Sequence, residues 1–500
     1  MQILSVTSEL FPLVKTGGLA DVSGALPKAL TSQGIETRTL IPGYRQVLER
    51  IGNSPAVAEL TLLGVACRIL QAELSGLPLY VLDATDLFDR PGGLYLDENG
   101  EDYHDNWKRF AALSLAGAMI GTGEITSWRP DLVHAHDWQA ALTPVYLRHR
   151  SKQPLPTLLT IHNLAFQGQF SFDQLGDLEL SPEAYGIDCL EYYGSASFLK
   201  AGIQTANLVN TVSPTYAREI LSENLGMGME GVLRVNRSKI RGIVNGIDTD
   251  IWNPANDPCL ISTFDSETLD RRLPNRQYLM KLFDFDDRPG PLFSVVSRLT
   301  WQKGIDLLVE VLPRLVERGG RVIVCGEGDH HLQDRLRGLA KQYPQHVAVS
   351  IGYNEGLAHL IFGGSDFLIQ PSRFEPCGLT QLYALRYGAV PIVGRTGGLS
   401  ETIIDANDAA TVSATGVQFH PVNADELEHA IDRAFEIYKD RHTLCEFQGR
   451  GMAADFGWES SARRYKQMFE ELTGTSSSVV PLSSRGSSDR SPTLTGARAV

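Results

Sequence analysis

Two cations five positions apart, Arg298 and Lys303, follow the apolar run Leu292 to Val296 and precede a helical pattern from Ile305 to Glu317. Arg offers a planar fork of donors and Lys a mobile point charge; together they can neutralise a diphosphate. Lys15 has a similar place, in Lys15-Thr16-Gly17-Gly18 after the strand-like Ile3 to Val6. Gly17 and Gly18 let a backbone come close to a ligand where the helix Leu19 to Ser32 begins. A carboxylate breaks the pattern. Glu375, in Ser372-Arg373-Phe374-Glu375-Pro376-Cys377-Gly378, stands just before the amides of Leu379 and Thr380 at the head of another helix. Helix N-termini favour phosphate. A fixed negative charge beside one suits sugar hydroxyls or a developing positive charge.

The elements that must position these groups alternate between strand and helix. Phe367 to Gln370 and Val390 to Val393 read as two buried strands, each followed by a loop and a helix. Leu132 to His134 is a third, ending in Ala135-His136-Asp137-Trp138, and Leu158 to Ile161 a fourth, ending in His162-Asn163. Lys15, Asp137 and His162 thus all fall just after strand-like runs. In a parallel sheet such loops line one edge and face a common cleft. A lone His is more often a satisfied core residue, but the strand-end position favours a site for His162. His134 and His136 share a strand face as possible metal ligands and lack a compelling third, so His134 reads as structural. Asp248-Thr249-Asp250 and Asp284-Phe285-Asp286 imitate a metal-binding Asp-x-Asp run, and neither directly follows an apolar strand. No metal is expected. Gly326-Glu327-Gly328-Asp329-His330-His331 narrowly misses the dinucleotide fingerprint, which argues against an oxidoreductase.

A chain of 500 residues needs more than one core. Its net charge of -14 argues against nonspecific nucleic-acid binding and against anionic membranes. Six scattered cysteines fit a reducing compartment better than a disulfide framework. No signal-like start, transit peptide or long apolar span is visible, so a bacterial cytoplasm is expected. Leu60 to Glu73 reads as a hairpin, and Asn253 to Pro291, rich in Asp, Asn and Pro, as an interdomain connection. The expected division is residues 1–250, residues 251–456, a helix over 457–473 and a disordered Ser-, Thr- and Gly-rich tail over 474–500.

Five segments in order resemble the bacterial glycogen synthase and plant starch synthase family. They are Lys15 to Val22, His134 to Trp138, Thr160 to Asn163, Ser297 to Gly304 and Pro371 to Gln381. The likeness runs from Met1 to about Leu472. Many relatives in the wider fold carry a second Glu eight positions after the first; here it is Tyr383, which narrows the family. The resemblance implies an α/β protein of GT-B architecture: two Rossmann-like, doubly wound parallel-sheet domains facing across a cleft, with the last helix crossing back to the first. It implies a retaining transfer of glucose from ADP-glucose to the non-reducing end of an α-1,4-glucan, with no cofactor and no nucleic-acid or membrane partner. Glu375, His162, Arg298 and Lys303 would carry the chemistry. Lys15, Gly18, Asp21, Tyr95, Asp137, Asn245, Tyr353, Cys377, Gly378, Leu379 and Thr380 would hold the donor, with Tyr353 stacked on the base. Two rival classes stay open: a sucrose- or trehalose-forming transferase on the same fold, and a non-catalytic sugar-nucleotide binding protein. No motif decides ADP over UDP.

Overall fold

The computed structural model describes residues 1–352, 354–407 and 413–475. The expected position of Tyr353, and the expected tail from residue 476 onward, lie outside the described residues. The first half begins with β1 (Gln2–Val6), β2 (Glu36–Pro42), β3 (Ala56–Leu62), β4 (Val65–Leu74) and β5 (Leu77–Asp83). It continues with β6 (Leu132–His136), β7 (Thr157–Ile161) and the short β8 (Gln169–Ser171), β9 (Glu191–Tyr192) and β10 (Ser195–Ser197). β11 (Leu208–Thr211) and β12 (Ile240–Gly242) complete it. Among the described residues, nine of these form one sheet in the order β12-β11-β7-β6-β1-β2-β5-β4-β3. All its pairings are parallel except those that join β3, β4 and β5. The expected hairpin is the β3–β4 pair, turning at Leu63-Gly64, both at positive φ, as a tight two-residue turn requires.

The second half holds β13 (Leu292–Val296), β14 (Arg321–Gly326), β15 (Val347–Ile351), β16 (Phe367–Gln370), β17 (Val390–Gly394) and β18 (Val417–Phe419). Their order is β15-β14-β13-β16-β17-β18, parallel throughout. Parallel strands covered by helices on both faces are apolar throughout rather than alternating. β6 is fully buried even though two of its five residues are His. In each sheet the strand order reverses beside the first strand, between β1 and β6 and between β13 and β16. That switch point opens a crevice at the carboxyl ends of the strands.

Asn253 to Pro291 is not a free connection. Arg272, buried within it, donates to the carbonyls of Tyr387, Phe362 and Ser365 at 3.0, 3.1 and 2.6 Å. Asn275 accepts from Ile261 N–H at 2.9 Å, and helix Leu273–Leu282 packs on helix Glu355–Gly364. The polar composition that suggested a linker is spent on satisfying backbone groups of the second half. The crossover itself is an aromatic stack: Trp252 lies between His359 and Tyr383, with ring centroids 3.8 and 3.7 Å away. Tyr383 is thus a packing residue.

Helix Trp458–Thr473 returns to the first half, against helix Gly18–Ser32 and β6. Trp458, Ala462, Tyr465 and Phe469 recur at helical spacing and are buried there. Each large side chain contributes about 1.5–3 kcal/mol of burial. Gly474 ends the helix at φ +69°, where a β-carbon would be strained.

Candidate active site

The loop after β16 carries Glu375 into the crevice, and the loop after β13 carries Arg298 and Lys303. Glu375 is 5% exposed. Its Oε2 accepts from Lys303 Nζ at 2.5 Å, Ser372 Oγ at 3.0 Å and Gln370 Nε2 at 3.2 Å. Oε1 takes none of these bonds. Burial alone would raise this carboxyl; the Lys303 charge and the three donors outweigh it, so Glu375 is held below the usual carboxylate range. Gly378 then turns the chain at φ +74°, and a β-carbon there would strike Gln381. The turn delivers Leu379 and Thr380 to the start of helix Thr380–Arg386, whose first N–H groups have no intrahelical partner. Cys377 is buried beside Asn245, and burial pushes its thiol up to about 12, so it is a packing residue rather than a thiolate.

Across the crevice, Asp137 leaves the end of β6 at φ +54°, an uncommon conformation for a non-glycine residue. Its Oδ1 accepts from His162 N–H at 2.6 Å and, more weakly, from Asn163 N–H at 3.5 Å. Burial raises its carboxyl to about 7, and the two amides offset only part of that. His162 is 9% exposed and its imidazole is pushed down to about 3 by burial, so the ring is neutral. Tyr216 marks the convergence of the two sides. Its phenol is raised first by burial and then by the charges of Asp137, Glu219 and Glu375. Asn245 is 5% exposed, and its buried Oδ1 has no hydrogen-bond partner among the described residues. A polar atom left so is costly unless something else fills the site.

Lys15 is brought to the crevice in an ion pair with Asp21, Nζ to Oδ1 2.7 Å. Burial raises the Asp21 carboxyl and Lys15 only partly offsets it. A β-carbon at Gly17 would meet open space, and one at Gly18 would touch only Leu379 Cδ1 at 3.7 Å, so a ligand can approach both. A cavity of about 140 Å³ between the halves is lined by Asp21, Lys28, Asp248, Glu355 and Tyr383. Arg298 is exposed, and its hydrogen bond among the described residues is a long one, to Gln302 Oε1 at 3.4 Å. Tyr95 reaches the crevice by donating to Glu9 Oε1 at 2.7 Å and meeting Ser8 Oγ at 2.8 Å.

Sequence reasoning missed Glu9. It also receives Thr16 N–H at 2.7 Å and Thr16 Oγ1 at 2.5 Å, and so ties the loop of Lys15 to Tyr95. Its signal was present: an acidic residue just after β1. Ser372 and Gln370 were missed as supports of Glu375. Two readings of acidic runs have structural reasons. Asp248 Oδ1 caps the N–H groups of Asp250 and Ile251, and Asp286 pairs with Arg288 and Arg321. In the near-dinucleotide loop, a β-carbon on Gly326 or Gly328 would strike the Ser297–Leu299 backbone, so these glycines serve loop packing.

The halves also touch at a rim. Ser213 Oγ donates to Pro376 O at 2.8 Å, and Glu219 Oε1 accepts from Gly397 N–H at 2.9 Å. Thr215 Oγ1 donates to Glu401 Oε1 at 2.5 Å.

Two family descriptions match the chain: Starch synthase catalytic domain over residues 2–235 and Glycosyl transferases group 1 over residues 286–447. The chain is 53% identical over 475 residues to a glycogen synthase of Rhizobium etli, covering 94% of this chain and 99% of that one. It is 51% identical over 475 residues to glycogen synthase 2 of Rhizobium meliloti, covering 94% and 98%. The catalytic domain of Starch Synthase IV from Arabidopsis thaliana, solved bound to ADP and acarbose, superposes with a TM-score of 0.85 at 30% identity, covering 94% of this chain and 99% of that one. Sucrose-phosphate synthase from Thermosynechococcus elongatus, at 18% identity, a TM-score of 0.60 and coverage of 95% and 100%, shares the fold alone. With its two doubly wound sheets and the crevice between them, the chain belongs to the glycogen and starch synthase family of two-domain GT-B glycosyltransferases.

Proposed function

We propose that this chain is a glycogen synthase, transferring glucose from ADP-glucose to the 4-hydroxyl at the non-reducing end of an α-1,4-glucan with retention of configuration. The observation that carries this reading is the pairing of the half-buried Lys303 with the buried Glu375 at the head of helix Thr380–Arg386. It puts a cation, helix amides and a sugar-type carboxylate within one loop cluster. Departure of the diphosphate leaves positive character on the sugar ring and negative charge on the leaving group. Lys15, Arg298, Lys303 and the Leu379 and Thr380 N–H groups face the negative charge. Each well-placed donor lowers the barrier by about 3 kcal/mol. Glu375 orients the sugar and stabilises the positive ring; its Oε1, clear of the three donors on Oε2, is the oxygen for that role. Asp137 and Asn245 hold sugar hydroxyls, and His162 lies beside them. Gly18, Asp21, Tyr95, Cys377 and Gly378 shape the donor pocket. The family resemblance implies attack on the face the diphosphate leaves, with the leaving phosphate as base. No metal takes part in this scheme. The halves are expected to divide at about residue 250, with a reducing bacterial cytoplasm as the place of action. Closure of the rim excludes water and suppresses hydrolysis.

The test is nucleotide release from ADP-glucose with and without glycogen, with UDP-glucose alongside. Glycogen-dependent ADP release with new α-1,4-linked glucose is expected. Release from UDP-glucose alone overturns the donor; binding without release favours the binding-protein reading.

A further inference from the structure

We infer that Ser5 and His136 are positioning residues that lock the His162 ring into its Nδ1–H tautomer, so that it presents a hydrogen-bond donor to the crevice. The three side chains form one chain of contacts. Ser5 Oγ meets His136 Nε2 at 3.2 Å, and His136 Nδ1 meets His162 Nε2 at 3.0 Å. The sheet dictates this. β1 and β6 are parallel neighbours, as are β6 and β7; Ser5 is level with His134 and His136 with Thr160, so Ser5, His136 and His162 run diagonally, each two positions further along and on the same face. Ser5 is 3% and His136 1% exposed, so bulk solvent does not reach their hydrogen-bonding atoms.

The polarity follows from counting protons. Burial holds both imidazoles neutral, and a neutral imidazole has one N–H and one lone pair. Among the described residues, His136 Nε2 is the one hydrogen-bond partner of the Ser5 hydroxyl. If Nε2 carried the proton, Ser5 would accept it and its own buried O–H would be stranded. Ser5 therefore donates to Nε2. His136 then carries its proton on Nδ1 and donates it to His162 Nε2. His162 is left with its proton on Nδ1, a nitrogen with no protein partner among the described residues. Asp137, which holds the backbone of His162, supplies the opposite polarity beside it. A sugar hydroxyl both gives and takes a hydrogen bond, and the two side chains match those needs. This role in turnover rests on the glucosyl-transfer reading; the tautomer does not.

The tautomer is read by long-range ¹H–¹⁵N correlation on the full chain labelled with ¹⁵N-histidine, without substrate, the His162 signals being assigned by their loss in His162→Asn. A protonated Nδ1 and a bare Nε2 are expected; the reverse overturns the inference. In Ser5→Ala both tautomers of His162 are expected, and kcat falls about tenfold with KM for ADP-glucose within about twofold. Ser5→Thr, which keeps the hydroxyl, restores both readings. His136→Asn keeps an N–H donor toward Nε2 and retains the Nδ1–H form even if the variant is less stable. A single unchanged tautomer in Ser5→Ala overturns the inference whatever the assay shows. A shifted tautomer with unchanged kcat overturns only its link to turnover.

Discussion

Asp137 and Glu375 face one crevice, and both are more than nine-tenths buried, at 8% and 5% exposed. Their charge states nevertheless diverge. Glu375 has a lysine at 2.5 Å and two neutral donors, and it stays ionised. Among the described residues Asp137 has only backbone amides, and burial carries its carboxyl up to about 7. Depth sets the cost of a charge, and the partner decides whether the cost is met. The second sheet therefore offers a permanent anion beside the expected diphosphate. The first offers a carboxyl that burial raises to about 7, beside the proposed place of the sugar hydroxyls.

The strongest way to break the contrast is to take the cation from Glu375. Lys303→Met should make it resemble Asp137: the acidic limb of the pH–rate profile moves up, and kcat/KM falls by about 10²–10³. The sign is clear. A lowered carboxyl keeps its ionised form until pH falls through the folded value, and without Lys303 that value rises. An unmoved acidic limb would refute the pairing as the cause.

Asp137→Asn tests the other side. It keeps an oxygen for the His162 amide and removes the titration. A raised carboxyl favours folding below its unfolded value near 3.9, and that contribution is lost as pH rises through about 7. Between pH 5 and 8 the melting midpoint of the unsubstituted protein should fall, while that of the variant stays flatter. Turnover should drop by about tenfold to a hundredfold. Parallel melting curves would show that Asp137 does not titrate there.

Tyr95→Phe sharpens the comparison without touching either carboxylate. It leaves Glu9 Oε1 with Thr16 Oγ1 as its donor and loosens the loop of Lys15, which should raise KM for the donor by about fivefold, measured by initial rates, and leave the acidic limb in place. The smallest effect is expected at the rim. Glu219→Gln exchanges a charged acceptor of the Gly397 amide for a neutral one. It should change KM by about twofold and slightly enlarge the radius of gyration seen by solution X-ray scattering.

Much of this site was legible because its signals are local. In Leu292 to Ile305 and in Phe367 to Thr380 a strand, a glycine-bearing loop and the start of a helix fit within 14 residues, and Lys15, Asp137, His162, Lys303 and Glu375 all follow strands. What was hidden lies between segments. Lys303 and Glu375 are 72 positions apart, Tyr95 and Glu9 86, Ser213 and Pro376 163. Asn253 to Pro291 joins the halves, and polar composition does not show that its side chains also cap backbone groups of the second half. His136 was noticed only as half of a metal-like pair, since nothing in its spacing reveals Ser5.

By itself the sequence determined the two α/β halves, the family and the strand-end residues, because hydrophobic period, glycine placement and helix starts act over a few residues. Only the tertiary structure decided who is paired and who is charged. Strand order places Ser5 against His136, and Lys303 against Glu375. Protonation then follows from burial and from the partner at hand, and neither exists until the sheets have formed.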